Sequence, residues 1–131
     1  MTDPLCLSSY LLAGPDRFGF FADTELLSPP LLWPEVRSAL HQIAWRGQLP
    51  KAEVASAHER LSGCPVTTRD PALLGRRAWD IADRFGWTKT YDAEYLALAE
   101  LLDCRLVTLD RRLRDRVDDA TQVVGPADLL P

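Results

Sequence analysis

The sequence predicts an α/β domain with a central, mainly parallel sheet of about four to five strands flanked by helices. Three observations lead there. Short strand-like runs (CPVTT, RLVTL, QVV) alternate with longer segments of helical periodicity. One helix, YDAEYLALAELL, runs almost directly into the strand RLVTL. A chain of 131 residues suits one domain, 1–131, with a real core.

The elements follow in order. Residues 4–12 (PLCLSSYLL) read as a short helix after a very short first strand, and a further helix is possible around Arg17–Leu26. WPEVRSALHQIAWRGQL is a helix with Pro34 at its first position. Val36, Ala39, Leu40, Ile43 and Ala44 recur at helical spacing, and Gly47 ends the segment. Residues 50–62 form a second amphipathic helix, and CPVTT is a strand. The next helix opens at Pro71 and closes at Gly86. A helix from Tyr91 to about Leu102, a strand Arg105–Leu109, a basic helix or turn, and a strand Gln122–Val124 complete the pattern.

Composition narrows the function class. Apolar residues make up 47% and charged residues 26%, as in ordinary globular proteins. No apolar run is long enough to span a membrane, and Asp3 sits where a signal peptide carries Lys or Arg, so a cytoplasmic location is expected. The net charge of −4 argues against a generally basic nucleic-acid binder but leaves room for a nucleic-acid enzyme with local basic clusters. Such clusters occur at Arg76–Arg77 and at Arg111, Arg112, Arg114 and Arg116. Each is either a solvated helix face or a phosphate grip. Cys6, Cys64 and Cys104 form no CxxC pair and read as small buried apolar residues.

Carboxylates carry the chemistry. Asp110 follows the strand RLVTL, Asp92 and Glu35 lie in first turns of helices, and Asp3 stands where a first strand would end. In an α/β sheet such element ends can gather in the crevice at the carboxyl edge. Taken singly, Asp92 and Glu35 also suit a helix macrodipole, and Asp110 suits a turn. Taken together, they would repel one another in a shared cleft, and no lysine stands beside each to neutralise it. Hard carboxylate oxygens suit Mg²⁺ or Mn²⁺. Such an ion can hold a phosphodiester and activate water to attack it.

YDAEYLALAELLDCRLVTLDRRL resembles the C-terminal motif of PIN-domain ribonucleases, above all the VapC-like toxins of type II toxin–antitoxin pairs. The resemblance rests on Tyr91-Asp92-Ala93, on the run Tyr95 to Ala99, on Thr108-Leu109-Asp110 and on Arg112-Leu113. WPEVRSALHQIAWRGQLP resembles the same family's glutamate-bearing helix. The resemblance implies a PIN-like fold and a Mg²⁺- or Mn²⁺-dependent endoribonuclease that hydrolyses single-stranded RNA by metal-activated water. It implies that Asp3, Glu35, Asp92 and Asp110 hold the metal, with Thr108 outside the cage holding a carboxylate or a water. Arg111, Arg112 and Arg114 follow Asp110 directly and are the candidates to grip RNA phosphates. It further implies a homodimer and an antitoxin whose tail covers the acidic pocket. The family's first acid normally ends a longer apolar strand. Here only Met1 and Thr2 precede Asp3, and Leu5 stands where a Ser or Asn often follows.

Two other classes compete. A receiver-type phospho-acceptor domain also gathers acids at strand ends, but it needs a lysine after the last strand, and Gly125-Pro126-Ala127-Asp128 follow QVV. A catalytically inactive PIN-like scaffold that binds RNA or protein is the remaining alternative.

Overall fold

The computed structural model describes residues 5–7, 24–108, 110–117 and 123–125. Five parallel strands form one sheet: β1 (Leu5–Leu7), β2 (Leu26–Ser28), β3 (Val66–Thr68), β4 (Arg105–Val107) and β5 (Val123–Val124), in the order β3-β2-β1-β4-β5. The helices are α1 (Leu32–Trp45), α2 (Lys51–Arg60), α3 (Leu74–Phe85), α4 (Tyr91–Leu102) and α5 (Arg111–Asp115). A 3-10 turn, Leu61–Gly63, leads from α2 towards β3. Among the described residues, no helix is long and apolar enough to cross a membrane.

The α/β expectation holds, and five strands lie within the anticipated range. β1 and β2 differ from the sequence reading. Leu5–Leu7 is strand, where PLCLSSYLL reads as a helix, and the strand begins after Asp3 instead of ending at it. Leu26–Ser28 is strand beside the Pro29-Pro30 pair, where a helix reaching Leu26 had been possible. Neither strand contains a β-branched residue or an alternating pattern. Both lie inside a parallel sheet whose faces are covered, so burial supplies what propensity does not. The rest of the possible helix at Arg17–Leu26, up to residue 23, lies outside the described residues.

The helices begin and end for local reasons. α1 starts two residues before Pro34, which still falls in the first turn, where its missing N–H costs nothing. Gly47, at φ +68°, closes it: the Gln48 N–H donates to the Ile43 carbonyl and the Gly47 N–H to that of Ala44. α3 buries the stripe Leu74, Ala78, Ile81 and Ala82, and Gly86 at φ +70° ends it. α4 buries Ala93 and Tyr95 through Ala99, because it packs between α3 and the β1–β4 region of the sheet. This explains why YDAEYLALAELL is apolar nearly all round.

The thiols are not three isolated fillers. Cys6 on β1 and Cys104 just before β4 are both buried, with their sulfurs 2.8 Å apart. The hydrogen bond between them and burial push the Cys6 thiol up, while the same bond pulls Cys104 down.

Candidate active site

The sheet order places the site. The chain moves from β1 outward through β2 to β3, then returns to add β4 and β5 on the other side of β1. The carboxyl ends of β1 and β4 therefore flank the point where strand order reverses, the crevice in which open α/β sheets bind ligands. Thr108 and Asp110 follow β4 immediately. α1 follows β2, so its first turn, with Glu35, starts at the same edge. α4 leads into β4 and runs back against it, which brings Asp92 at its amino end to this edge as well.

Asp110 caps α5. Its Oδ1 accepts the Arg112 backbone N–H at 3.0 Å, and its own N–H donates to Thr108 Oγ1 at 3.0 Å. Thr108 is buried, so the turn that aims Asp110 is fixed from the core. Asp92 is held less firmly. Arg116 Nη1 lies 3.9 Å from Asp92 Oδ2. Burial and the neighbouring Asp110 raise the Asp92 carboxyl above its ordinary range, against the pull of Arg116 and Arg112. Glu35 accepts a short hydrogen bond from the hydroxyl of the buried Tyr95. Tyr95 stands three residues beyond Asp92, so one face of α4 presents the acid and anchors Glu35. Glu94 is raised by burial, then by Glu35 and Asp70.

Glu35 and Asp92 line one cleft of about 300 Å³, together with Trp87, Thr88, Lys89, Tyr91 and Arg116. Asp110 joins them through its charge on Asp92. Asp3 lies outside the described residues, and the strand expected to end at it is the Leu5–Leu7 strand that follows it. Among the described residues, no three His, Cys, Asp or Glu side chains stand close enough to hold an ion. The donors still fit a hard divalent cation. The described wall of the cleft contains carboxylate oxygen but no thiolate or imidazole, and Asp92 stays raised by burial and by Asp110 despite Arg116 and Arg112. Mg²⁺ commonly binds one or two carboxylates and keeps several waters.

The arginines sort differently from the sequence reading. Arg112 is exposed, with its Nε 3.7 Å from Asp110. Arg114 follows on the same short helix, and the side chain of Arg111 lies outside the described residues. Arg116, absent from that candidate set, is the arginine that lines the cleft.

The PIN domain family model matches residues 10–119. This chain belongs to the PIN-domain family. It is 38% identical over 94 residues to a VapC ribonuclease of Mycobacterium bovis and to ribonuclease VapC9 of Mycobacterium tuberculosis, a span covering 72% of this chain and 72% of each relative. PAE2754 from Pyrobaculum aerophilum, a solved structure, shares the PIN-like fold of this chain with a TM-score of 0.74 at 23% identity, over 96% of this chain and 85% of that one. The matched relatives thus agree with the resemblance read from Tyr91-Asp92-Ala93 and Thr108-Leu109-Asp110. Sequence reasoning missed Tyr95 as the anchor of Glu35, although the i, i+3 spacing from Asp92 carries that signal. It named Arg116 within a basic cluster but not its contact with Trp87, which lies 29 residues away in the chain and meets it only in the fold.

Proposed function

We propose that this PIN-domain chain is a Mg²⁺- or Mn²⁺-dependent endoribonuclease, the toxin of a toxin–antitoxin pair, that hydrolyses single-stranded RNA. The observation that carries the reading is the carboxylate pair Asp92 and Asp110 at the strand-order reversal, with Asp92 raised by burial and by its neighbour. The ribonuclease activity named for the VapC relatives supports the reaction class.

Glu35, Asp92 and Asp110 are the proposed donors; Asp3 precedes β1 instead of ending it and is not proposed with them. A bound divalent cation supplies Lewis acidity towards water and phosphate. The chain's own residues do the rest. Tyr95 fixes the direction of Glu35, and the Thr108 turn fixes Asp110. Water, which a bound divalent cation would activate, is the proposed nucleophile. The products are then a 5′-phosphate and a 3′-hydroxyl.

Exposed apolar surface supports protein partners. Trp45 is 83% exposed at the end of α1, beside a groove of about 560 Å³ lined by Leu40, Ala44 and Ala55. Leu73 and Trp79 at α3 are exposed as well. A second copy of the chain and an antitoxin, in the cytoplasm, are the proposed partners for such surface.

Labelled single-stranded RNA incubated with Mn²⁺ and with excess EDTA tests the function. Cleavage with Mn²⁺, none with EDTA, and 5′-phosphate ends are expected. Cleavage in EDTA, or a 2′,3′-cyclic phosphate, contradicts the mechanism. RNA binding without cleavage under any divalent cation would favour the inactive scaffold, a reading kept in view by the lack of a three-acid cluster among the described residues.

A further inference from the structure

Arg116 stands out because its position is built rather than merely exposed. Its guanidinium carbon lies 4.4 Å from the centroid of the Trp87 ring. Trp87 stacks on Phe85, with centroids 5.1 Å apart and planes 21° apart. Arg84 lies over Phe85 at 5.1 Å and donates to Glu100 on α4 at 3.3 Å. A run of stacked contacts therefore ties Arg116, which follows α5, to the carboxyl end of α3 and to the flank of α4. Cation–π stacking of this kind restrains a long side chain that would otherwise sample many rotamers.

The restrained guanidinium points at chemistry. It sits in the same cleft as Glu35, Asp92 and Lys89, and reaches within 3.9 Å of Asp92. That separation is long for an ion pair, and both partners are partly exposed, so the contact is weak and exchangeable. A planar guanidinium matches the two free oxygens of a phosphodiester better than an ammonium does. Arg112 has no comparable support, since its side chain is 87% exposed.

We propose that Arg116, held in place by Trp87, is the principal phosphate-binding residue for the RNA strand at this site, and that in the cation-free protein it stands in as the counter-charge of Asp92. The proposal rests on the ribonuclease reading. When a divalent cation takes the Asp92 carboxylate, Arg116 is released to the phosphate next to the acids. Lys89 adds charge in the same cleft. Trp87 is a positioning residue, acting through the guanidinium it stacks against.

The test is equilibrium binding of a fluorescein-labelled single-stranded oligoribonucleotide, followed by anisotropy in Ca²⁺ buffer over a salt series. Arg116→Ala should weaken binding about tenfold, as for loss of a charge-assisted hydrogen-bonded contact. It should also flatten the slope of log K against log salt by about 0.7, the value for one contact on a single strand. Trp87→Ala should reproduce part of the loss, and Trp87→Phe should restore it. Mn²⁺ binding by calorimetry should be as tight in Arg116→Ala as in wild type, or tighter, because a competitor for Asp92 is gone. An unchanged salt slope in Arg116→Ala, or a larger loss in Arg112→Ala, overturns the assignment. Weaker Mn²⁺ binding in Arg116→Ala overturns the counter-charge role. Wild type that cleaves RNA while Arg116→Ala binds normally sinks this inference alone, whereas wild type that neither binds nor cleaves RNA sinks the ribonuclease reading with it.

Discussion

Asp92 and Asp110 both stand at the amino end of a helix on one sheet edge, and the protein holds them in opposite ways. Asp110 is woven into the backbone: it caps α5 through the Arg112 N–H, and Thr108 holds its own N–H. Asp92 has no such support. Thr90 gives α4 no side-chain cap, and the described counter-charge of Asp92 is Arg116 at 3.9 Å. The difference teaches that one acid serves the fold as well as the site, while the other costs the fold something. A carboxylate kept in an unfavourable place is a mark of function rather than of stability.

The largest expected effect separates these roles through activity. Asp92→Asn should lower the rate of RNA cleavage about a hundredfold or more, the scale of losing one electrostatic group at a reacting centre. In metal-free buffer the same variant should melt higher than wild type. The sign follows from linkage. The Asp92 carboxyl is raised in the fold by burial and Asp110, despite Arg116 and Arg112, so the folded chain keeps a proton that the unfolded chain has released. Metal-free stability therefore declines as pH rises from the ordinary value of 3.8 through the raised one, and Asp92→Asn should lessen that decline. Thermal melts between pH 3.5 and 7, on the order of the range where carboxylates titrate, check it. A lower melting temperature for Asp92→Asn would erase the contrast with Asp110.

Asp110 should respond the other way. Asp110→Ala removes the cap and should cost about 1 kcal/mol, or about 3–5 °C in melting temperature, besides its loss of activity. Asp110→Asn keeps a capping oxygen and should melt close to wild type while losing activity. If both variants melt alike, the cap contributes nothing.

Smaller again is Tyr95→Phe. It removes the hydroxyl that donates to Glu35 and should destabilise by about 1–2 kcal/mol, with cleavage slowed several-fold and not abolished. Unchanged melting and cleavage would mean that Glu35 needs no anchor. Asp3→Asn should have the mildest effect of any acid substitution, because β1 begins after Asp3 and carries the chain from the amino edge of the sheet to the carboxyl edge at Leu7. An Asp3→Asn variant as inactive as Asp92→Asn would reverse that ranking.

The parts of the molecule legible in the sequence share a physical cause. α4 was read at its observed bounds because an apolar run closed by a turn leaves little choice, and β4 was recognised from Leu-Val-Thr. Glu35, Asp92 and Asp110 were legible because their places at element ends follow from chain order alone. β1 and β2 were not, since three-residue strands without β-branched residues owe their form to neighbours on both sides. The setting of Arg116 was not legible for a similar reason. Arg112 stays beside Asp110 with its side chain exposed, while Trp87, distant in sequence, stacks against Arg116. Likewise, only the pairing of β1 with β4 brings Cys6 and Cys104 together.

Titration calorimetry of Mn²⁺ into the metal-free protein, wild type beside Asp92→Asn, reads the proposed cation site without relying on any substrate. Wild type should bind the ion with saturable heat, and Asp92→Asn should bind it at least about tenfold more weakly, the lower end expected when a metal site loses an important carboxylate. Equal binding by the two proteins, or no binding by wild type, would contradict a divalent cation at Asp92.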